Sequence, residues 1–317
     1  MPLPVGHMLK RLSNYSEQRL HDEIIGATND YHGHIYRKVR VADVVDISKL
    51  ASRDFGSYAL QAHFDFCICD DDHQPAFAIE YDGGGHGSKN DRKKDAIAQQ
   101  ADLALFRIDE RLLNRTRGGL TFLQYLVHTY FLGQSFLEMQ EQGQLDPSEP
   151  FMMSGFLKAD AKHIFDSDFD FSGPARGRLT KIMRRAAAPG GPLYHLNIAG
   201  VMYGKADSSF VGFASVPVGN QFVYGRAQLD IGTPCLGKLG ELPFGWSALG
   251  DYCEGMMLES LCDELETLFS DGGHTIRTRT DIEQEIARLG DASYKPLRGF
   301  GGKDDWLMSY AFPRKGD

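Results

Sequence analysis

Two short apolar runs carry carboxylates at spacings that could do chemistry. Phe64-Asp65-Phe66-Cys67-Ile68-Cys69-Asp70 is followed by a polar turn and then by Pro75-Ala76-Phe77-Ala78-Ile79-Glu80-Tyr81-Asp82-Gly83. The period-two alternation of each run predicts a β-hairpin. A carboxylate in a buried strand is costly without compensation. Where two such groups face each other, a divalent cation is the usual compensation. A turn centred on Asp72-His73 sets Asp65 opposite Glu80, with Cβ atoms roughly 5 Å apart. A slip of one residue would send one carboxylate to the far face, so the pairing depends on that register.

Downstream, Gly83-Gly84-Gly85-His86-Gly87-Ser88 reads as a loop, and Lys89-Asn90-Asp91-Arg92-Lys93-Lys94-Asp95 opens a helix. Lys94 lies three and four residues before Ile97 and Ala98. It therefore shares the face that should pack on the sheet, while Lys93 is rotated away by about 100°. A lysine at the edge of that face can reach a metal-bound water or a phosphate. The glycine run is not a phosphate-cradling loop, because no Gly-Lys-Ser/Thr follows it.

The elements that must position these groups follow from periodicity. A helix begins near Ser13-Asn14-Tyr15-Ser16-Glu17, with Ser13 or Ser16 as the expected cap. Leu20, Ile24 and Ala27 fall on one face of it, and it ends near residue 28. Ile35–Val41 alternates as a strand, strands follow near 61–70 and 75–82, and a helix spans Asp91–Asp102. Leu103–Ile108 is a short apolar strand. The order is α-β-β-β-α-β. A helix over 119–142 follows, with a break expected at Gly133.

This order, Asp65, and the string Glu80-x-Asp82-Gly83…His86…Asp91-x-x-Lys94…Leu105-Phe106-Arg107-Ile108 resemble the PD-(D/E)XK restriction-endonuclease-like superfamily, within it the branch related to very-short-patch-repair endonucleases. The resemblance covers residues 13–110. It implies a restriction-endonuclease-like αβββαβ core, a mixed sheet flanked by helices, and hydrolysis of phosphodiester bonds, of DNA above RNA, with Mg²⁺ or Mn²⁺. It also implies Asp65, Glu80, Lys94 and His86 as the catalytic set, and Asp65, Glu80, Asp82 and Glu17 as groups at the metal. His86 would bond a phosphate or move a proton. The superfamily signature ends in Glu-x-Lys, whereas this chain has Asp82 at that place. The lysine role is therefore carried to Lys94. The departure also supports an alternative, a catalytically inactive nuclease-like binding or scaffold protein.

Asp146-Pro147-Ser148-Glu149-Pro150 reads as a linker, which divides the chain into a nuclease-like domain over 1–145 and an α+β accessory domain over 150–317. In the second part, segments 194–203, 209–216 and 221–231 read as antiparallel strands, and Leu249–Phe269 and Asp281–Leu289 as helices. This part is expected to select substrate, bind a protein partner or form a homo-oligomer. Arg176, Arg178, Lys181, Arg184 and Arg185 are the densest basic run and a candidate nucleic-acid contact. Arg37, Lys38 and Arg40 form a second candidate strip.

A net charge of −9 argues against a protein that coats nucleic acid non-specifically. It leaves room for a nuclease, because metal-binding carboxylates contribute to that count. The five cysteines form no CxxC pair, and Cys67 and Cys69 read as small buried strand residues. No apolar run approaches ~18 residues, and Met1–Leu12 carries no apolar signal core. The expectation is a cytoplasmic protein without a membrane partner, belonging to genome defence or repair by analogy with the superfamily.

Overall fold

The computed structural model describes residues 13–82, 89–113, 116–117, 120–148, 156–157, 167–168, 173–186, 198–205, 209–231, 245–271, 276–302 and 305–313. The chain is α/β, with a mixed four-stranded sheet, an antiparallel five-stranded sheet and helices against both.

The first sheet is assembled from α1 (Tyr15–Asn29), β1 (His34–Arg40), α2 (Val41–Val44), α3 (Arg53–Ala59), β2 (His63–Cys69), β3 (Pro75–Asp82), α4 (Lys89–Gln100) and β4 (Ala104–Asp109). Strand order is β1-β2-β3-β4. β2 pairs antiparallel with both β1 and β3, whereas β4 returns parallel to β3. A parallel return needs a crossover, and α4 supplies it. The region between β1 and β2, irregular in sequence, folds as α2, a 3-10 turn at Ile47–Lys49 and α3.

Each face of this sheet has its own cover. Leu20 and Ile24 of α1 pack with Phe66, Ile68, Phe77, Ile79 and Phe106. Ile97 and Ala98 of α4 pack with Ala78, Leu105, Val41 and Phe64. Cys67 and Cys69 are buried free thiols on β2.

After α5 (Glu110–Leu113), α6 (Phe122–Glu141) runs unbroken through Gly133, which is buried. The expected break does not form. A single glycine lowers helix propensity by about 1 kcal/mol, and the apolar contacts of α6 outweigh it. Thr121 and Gln124 close a capping box at its start.

The second sheet uses α7 (Gly173–Ala186), β5 (Ala199–Lys205), β6 (Ser209–Val218), β7 (Gln221–Asp230), α8 (Gly245–Asp271), β8 (Ile276–Arg277), α9 (Arg279–Asp291), β9 (Lys295–Phe300) and α10 (Trp306–Ala311). Strand order is β8-β7-β6-β5-β9, antiparallel throughout. α8 covers one face, and α9 with α10 covers the other through Ile282, Ile286 and Leu307. Glycine permits the close approach of α8. A Cβ at Gly225 would sit 2.3 Å from the Leu261 backbone nitrogen, and one at Gly212 would sit 2.7 Å from Met257 Sδ.

One apolar cluster runs from α1 through α6 to α8. Phe122 and Tyr125 meet Tyr252 with ring centroids 4.8 and 5.6 Å apart. The Arg107 N–H donates to the Ile231 carbonyl at 2.8 Å. Among the described residues no helix is long and apolar enough to cross a membrane.

Candidate active site

The hairpin pairs in the register that opposes the two carboxylates. Phe66 faces Ile79, Cys67 faces Ala78 and Ile68 faces Phe77. Continued by one residue, this register puts Asp65 across from Glu80. There the backbone ladder gives way to side-chain bonds. The Asp65 N–H donates to Glu80 Oε1 at 3.3 Å, and the Tyr81 N–H donates to Asp65 Oδ2 at 2.9 Å. Strict alternation would keep Phe64 on the face of Phe66, yet Phe64 packs with Ala78 and Ile97 while Phe66 packs on the α1 side. The alternation breaks at Asp65, whose carboxylate is held by the Tyr81 N–H of the next strand.

Lys94 is brought in by α4. Its Nζ donates to Glu80 Oε2 at 2.7 Å and to the His63 carbonyl at 2.8 Å, and it lies 5.9 Å from the centre of the Phe64 ring. Lys94 and Glu80 are both buried. Burial lifts the Glu80 carboxyl above the usual carboxylate range; the Lys94 charge opposes this and the Asp65 charge adds to it. A buried pair of this kind is expensive to break from one side, by about 3–5 kcal/mol.

Glu17 enters through the helix cap. Asn14, between the two serines expected to cap α1, is the cap itself. Its side chain accepts the Glu17 N–H at 2.8 Å, and Glu17 Oε2 accepts the Asn14 N–H at 3.1 Å. A glutamate at the third helical position closes the capping box only from that residue, which decides against Ser13 and Ser16. The other Glu17 oxygen, Oε1, accepts Lys38 Nζ at 2.7 Å.

Lys38 then completes the chain of charges: its Nζ also meets Asp65 Oδ1 at 2.5 Å. The strip reading gave Lys38 a phosphate contact and missed this bridge. Its backbone shows why: φ is +51° in the middle of β1. A non-glycine residue there costs about 1–3 kcal/mol, and sequence alternation carries no sign of it. Burial acts to lower the Lys38 pKa, but the bonds and charges of Asp65 and Glu17 outweigh it and the net shift is upward. For Glu17 burial acts upward, and the bonds to Lys38 and the Asn14 N–H outweigh it, so its carboxyl lies low.

The result is a continuous run, Glu17–Lys38–Asp65–Glu80–Lys94, drawn in chain order from α1, β1, β2, β3 and α4. Arg107 flanks it on β4, with Asp91 at 3.7 Å and Asp95 at 2.5 Å. His86 lies outside the described residues, as does the Asp82 side chain; the Asp82 backbone ends β3. Asp65 and Glu80 are hard oxygen donors of the kind Mg²⁺ and Mn²⁺ take. Among the described residues, no group of three or more His, Cys, Asp or Glu side chains gathers as a metal set. The donor type of these two carboxylates suits a divalent cation, and each of their four oxygens accepts a bond from within the chain.

The basic run lies on a single helix, α7. Arg176 pairs with Glu254 of α8, and Arg178 pairs with Asp263 at 2.7 Å and Glu266 at 2.6 Å. Lys181, Arg184 and Arg185 are exposed. α7 is thus anchored to α8 by two of its five basic residues and presents the other three outward.

No curated protein and no solved structure matches the chain. Over residues 9–113, the span that holds every member of the charged run, the chain is similar to the family described as a protein of unknown function, DUF2726.

Proposed function

We propose that this protein is a divalent-metal-dependent nuclease with a restriction-endonuclease-like core, cutting phosphodiester bonds of DNA. The observation that carries the reading is the direct contact of Asp65 with Glu80 on adjacent strands, with Lys94 bonded to Glu80. Asp65 and Glu80 would hold Mg²⁺ or Mn²⁺, which when bound supplies Lewis acidity and a water of lowered pKa. The Lys94 charge opposes the upward shift that burial gives the Glu80 carboxyl. An ammonium has three donors, and two are directed at Glu80 and the His63 carbonyl. The third is available to orient a water or to stabilise charge building on a phosphate oxygen. Asp65 is aimed by the Tyr81 N–H. Lys181, Arg184 and Arg185 are the members of the basic helix that could meet a DNA backbone. The superfamily likeness favours DNA and a genome-defence or repair setting, with residues 150–317 engaging substrate, a protein partner or a second copy.

A second reading is a nuclease-like binding module without activity. What favours it is that all four carboxylate oxygens of Asp65 and Glu80 already accept a bond from this chain. The two readings separate in one assay, incubation of plasmid and single-stranded DNA with Mg²⁺ or Mn²⁺, comparing wild type with Glu80→Ala. Metal-dependent cutting that vanishes in the variant supports the enzyme. Binding of DNA with no cutting under any metal supports the module.

A further inference from the structure

Lys38 stands where the strand pattern alone would not put it. Ile35 and Arg37 of β1 face α1: Ile35 packs on that core, and Arg37 donates to Gln18 at 3.1 Å and lies 6.0 Å from the Phe66 ring centre. Alternation would place Lys38 on the opposite face, with Tyr36. The left-handed backbone at Lys38 turns its side chain back toward α1, where it meets Glu17, and across to Asp65. Pairing is regular on both sides of it, with Arg37 facing Phe66 and Val39 facing Phe64. The conformation therefore serves the side chain and not the ladder.

We propose that Lys38 is a resident counter-cation that sets the affinity of the Asp65–Glu80 site for a divalent metal: its ammonium holds Asp65 Oδ1 and must leave that oxygen for a metal to take it. The inference rests on the metal-binding half of the function proposed above. Three observations single out Lys38 over Lys94 as the group that moves. Lys38 lies on β1, one of the two edge strands of its sheet. Its side chain is 45% exposed, against 11% for Lys94. Lys94 is fixed by the His63 carbonyl as well as by Glu80, whereas Lys38 is held only by carboxylates among its described side-chain contacts. Asp65 Oδ2 is tied to the Tyr81 N–H, which leaves Oδ1, the oxygen Lys38 holds, as the one a metal would reach. Swinging away from Asp65 leaves the ammonium near Glu17, so the acidic residue on α1 acts as the place Lys38 retreats to.

The test is Mn²⁺ titrated calorimetrically into the full-length protein and into Lys38→Met, Lys38→Gly and Lys38→Arg. Glycine accepts the left-handed backbone without strain, so it guards against misfolding of the methionine variant. Removal of the competing charge should tighten Mn²⁺ at least about tenfold in the methionine and glycine variants. Lys38→Arg should stay close to wild type. Unchanged or weaker Mn²⁺ binding in both neutral variants overturns the proposal, as does the absence of Mn²⁺ binding in every protein. Tightened Mn²⁺ without DNA cleavage by wild type would keep this role and discard the nuclease. Cleavage that needs Glu80, with Mn²⁺ affinity indifferent to Lys38, would do the reverse.

Discussion

The four-stranded and five-stranded sheets place their charges differently. In the first, carboxylates and ammonium groups lie on the strands and inner helix faces: Glu17, Glu80 and Lys94 are buried, and Lys38 holds a left-handed backbone to join them. In the second, apolar clusters lie against both faces, glycines let α8 approach closely, and pairs such as Arg178–Asp263 lie at the surface. Glu254, buried between Arg176 and Arg298, is the exception, and it ties α7 and β9 to α8. Strain and buried charge gather where chemistry is expected. Close packing gathers where a platform is needed. If the proposed nuclease reading holds, the first sheet would carry the chemistry and the second would support it.

The largest effect should come from Glu80→Gln, which keeps the shape of the side chain and removes its charge. DNA cleavage should fall by about 100-fold or more, with the circular dichroism spectrum unchanged; retained cleavage would remove the first sheet from the chemistry. Lys94→Met comes next. It leaves Glu80 buried without its partner, and denaturant unfolding should show a loss of about 3–5 kcal/mol. Gly225→Val probes the other sheet. Its Cβ meets the Leu261 backbone nitrogen at 2.3 Å, so overpacking should lower stability by about 1–3 kcal/mol or more. Cleavage per folded molecule should stay at the wild-type level, and a selective loss of activity would blur the division between the sheets.

A smaller effect concerns His128 on α6, whose Nδ1 lies 2.7 Å from the Tyr31 hydroxyl. Burial lowers its pKa below 6.5, against the charge of Asp30. The unfolded chain therefore binds a proton that the folded chain resists. Its contribution to stability is present above pH 6.5 and is lost as pH falls through the depressed folded value. The unfolding midpoint should decline across that window in wild type, and His128→Phe should flatten the decline. Arg178→Ala should matter least, at under about 1 kcal/mol, because its partners lie at the surface.

Much of the first sheet was legible in the sequence because one face of each strand is apolar and fixes the register. The four strands with α1 and α4, the opposition of Asp65 and Glu80, and the inward face of Lys94 follow from periods of two and 3.6, whereas α2 and α3, between β1 and β2, do not. Lys38 was visible as a basic residue but not as a bridge, since a positive φ leaves no trace in an alternating strand. The cap at Asn14 was hidden by flanking serines of similar propensity. In the second part, β9 and α10 escaped detection. The residues of β9, Lys295–Phe300, are exposed or half-buried and carry a proline and a glycine, so their pattern resembles a loop. The basic helix was read as a surface, yet Arg176 and Arg178 pair with acids on α8 some 80 residues away in sequence, a distance no local pattern spans.

The most direct test of the account is the anomalous density of crystals soaked in Mn²⁺. The account predicts a peak within about 2.2 Å of carboxylate oxygens from both Asp65 and Glu80, with the Lys38 ammonium withdrawn from Asp65 toward Glu17. A peak elsewhere, or none at these carboxylates while Lys38 stays bonded to Asp65, would contradict it.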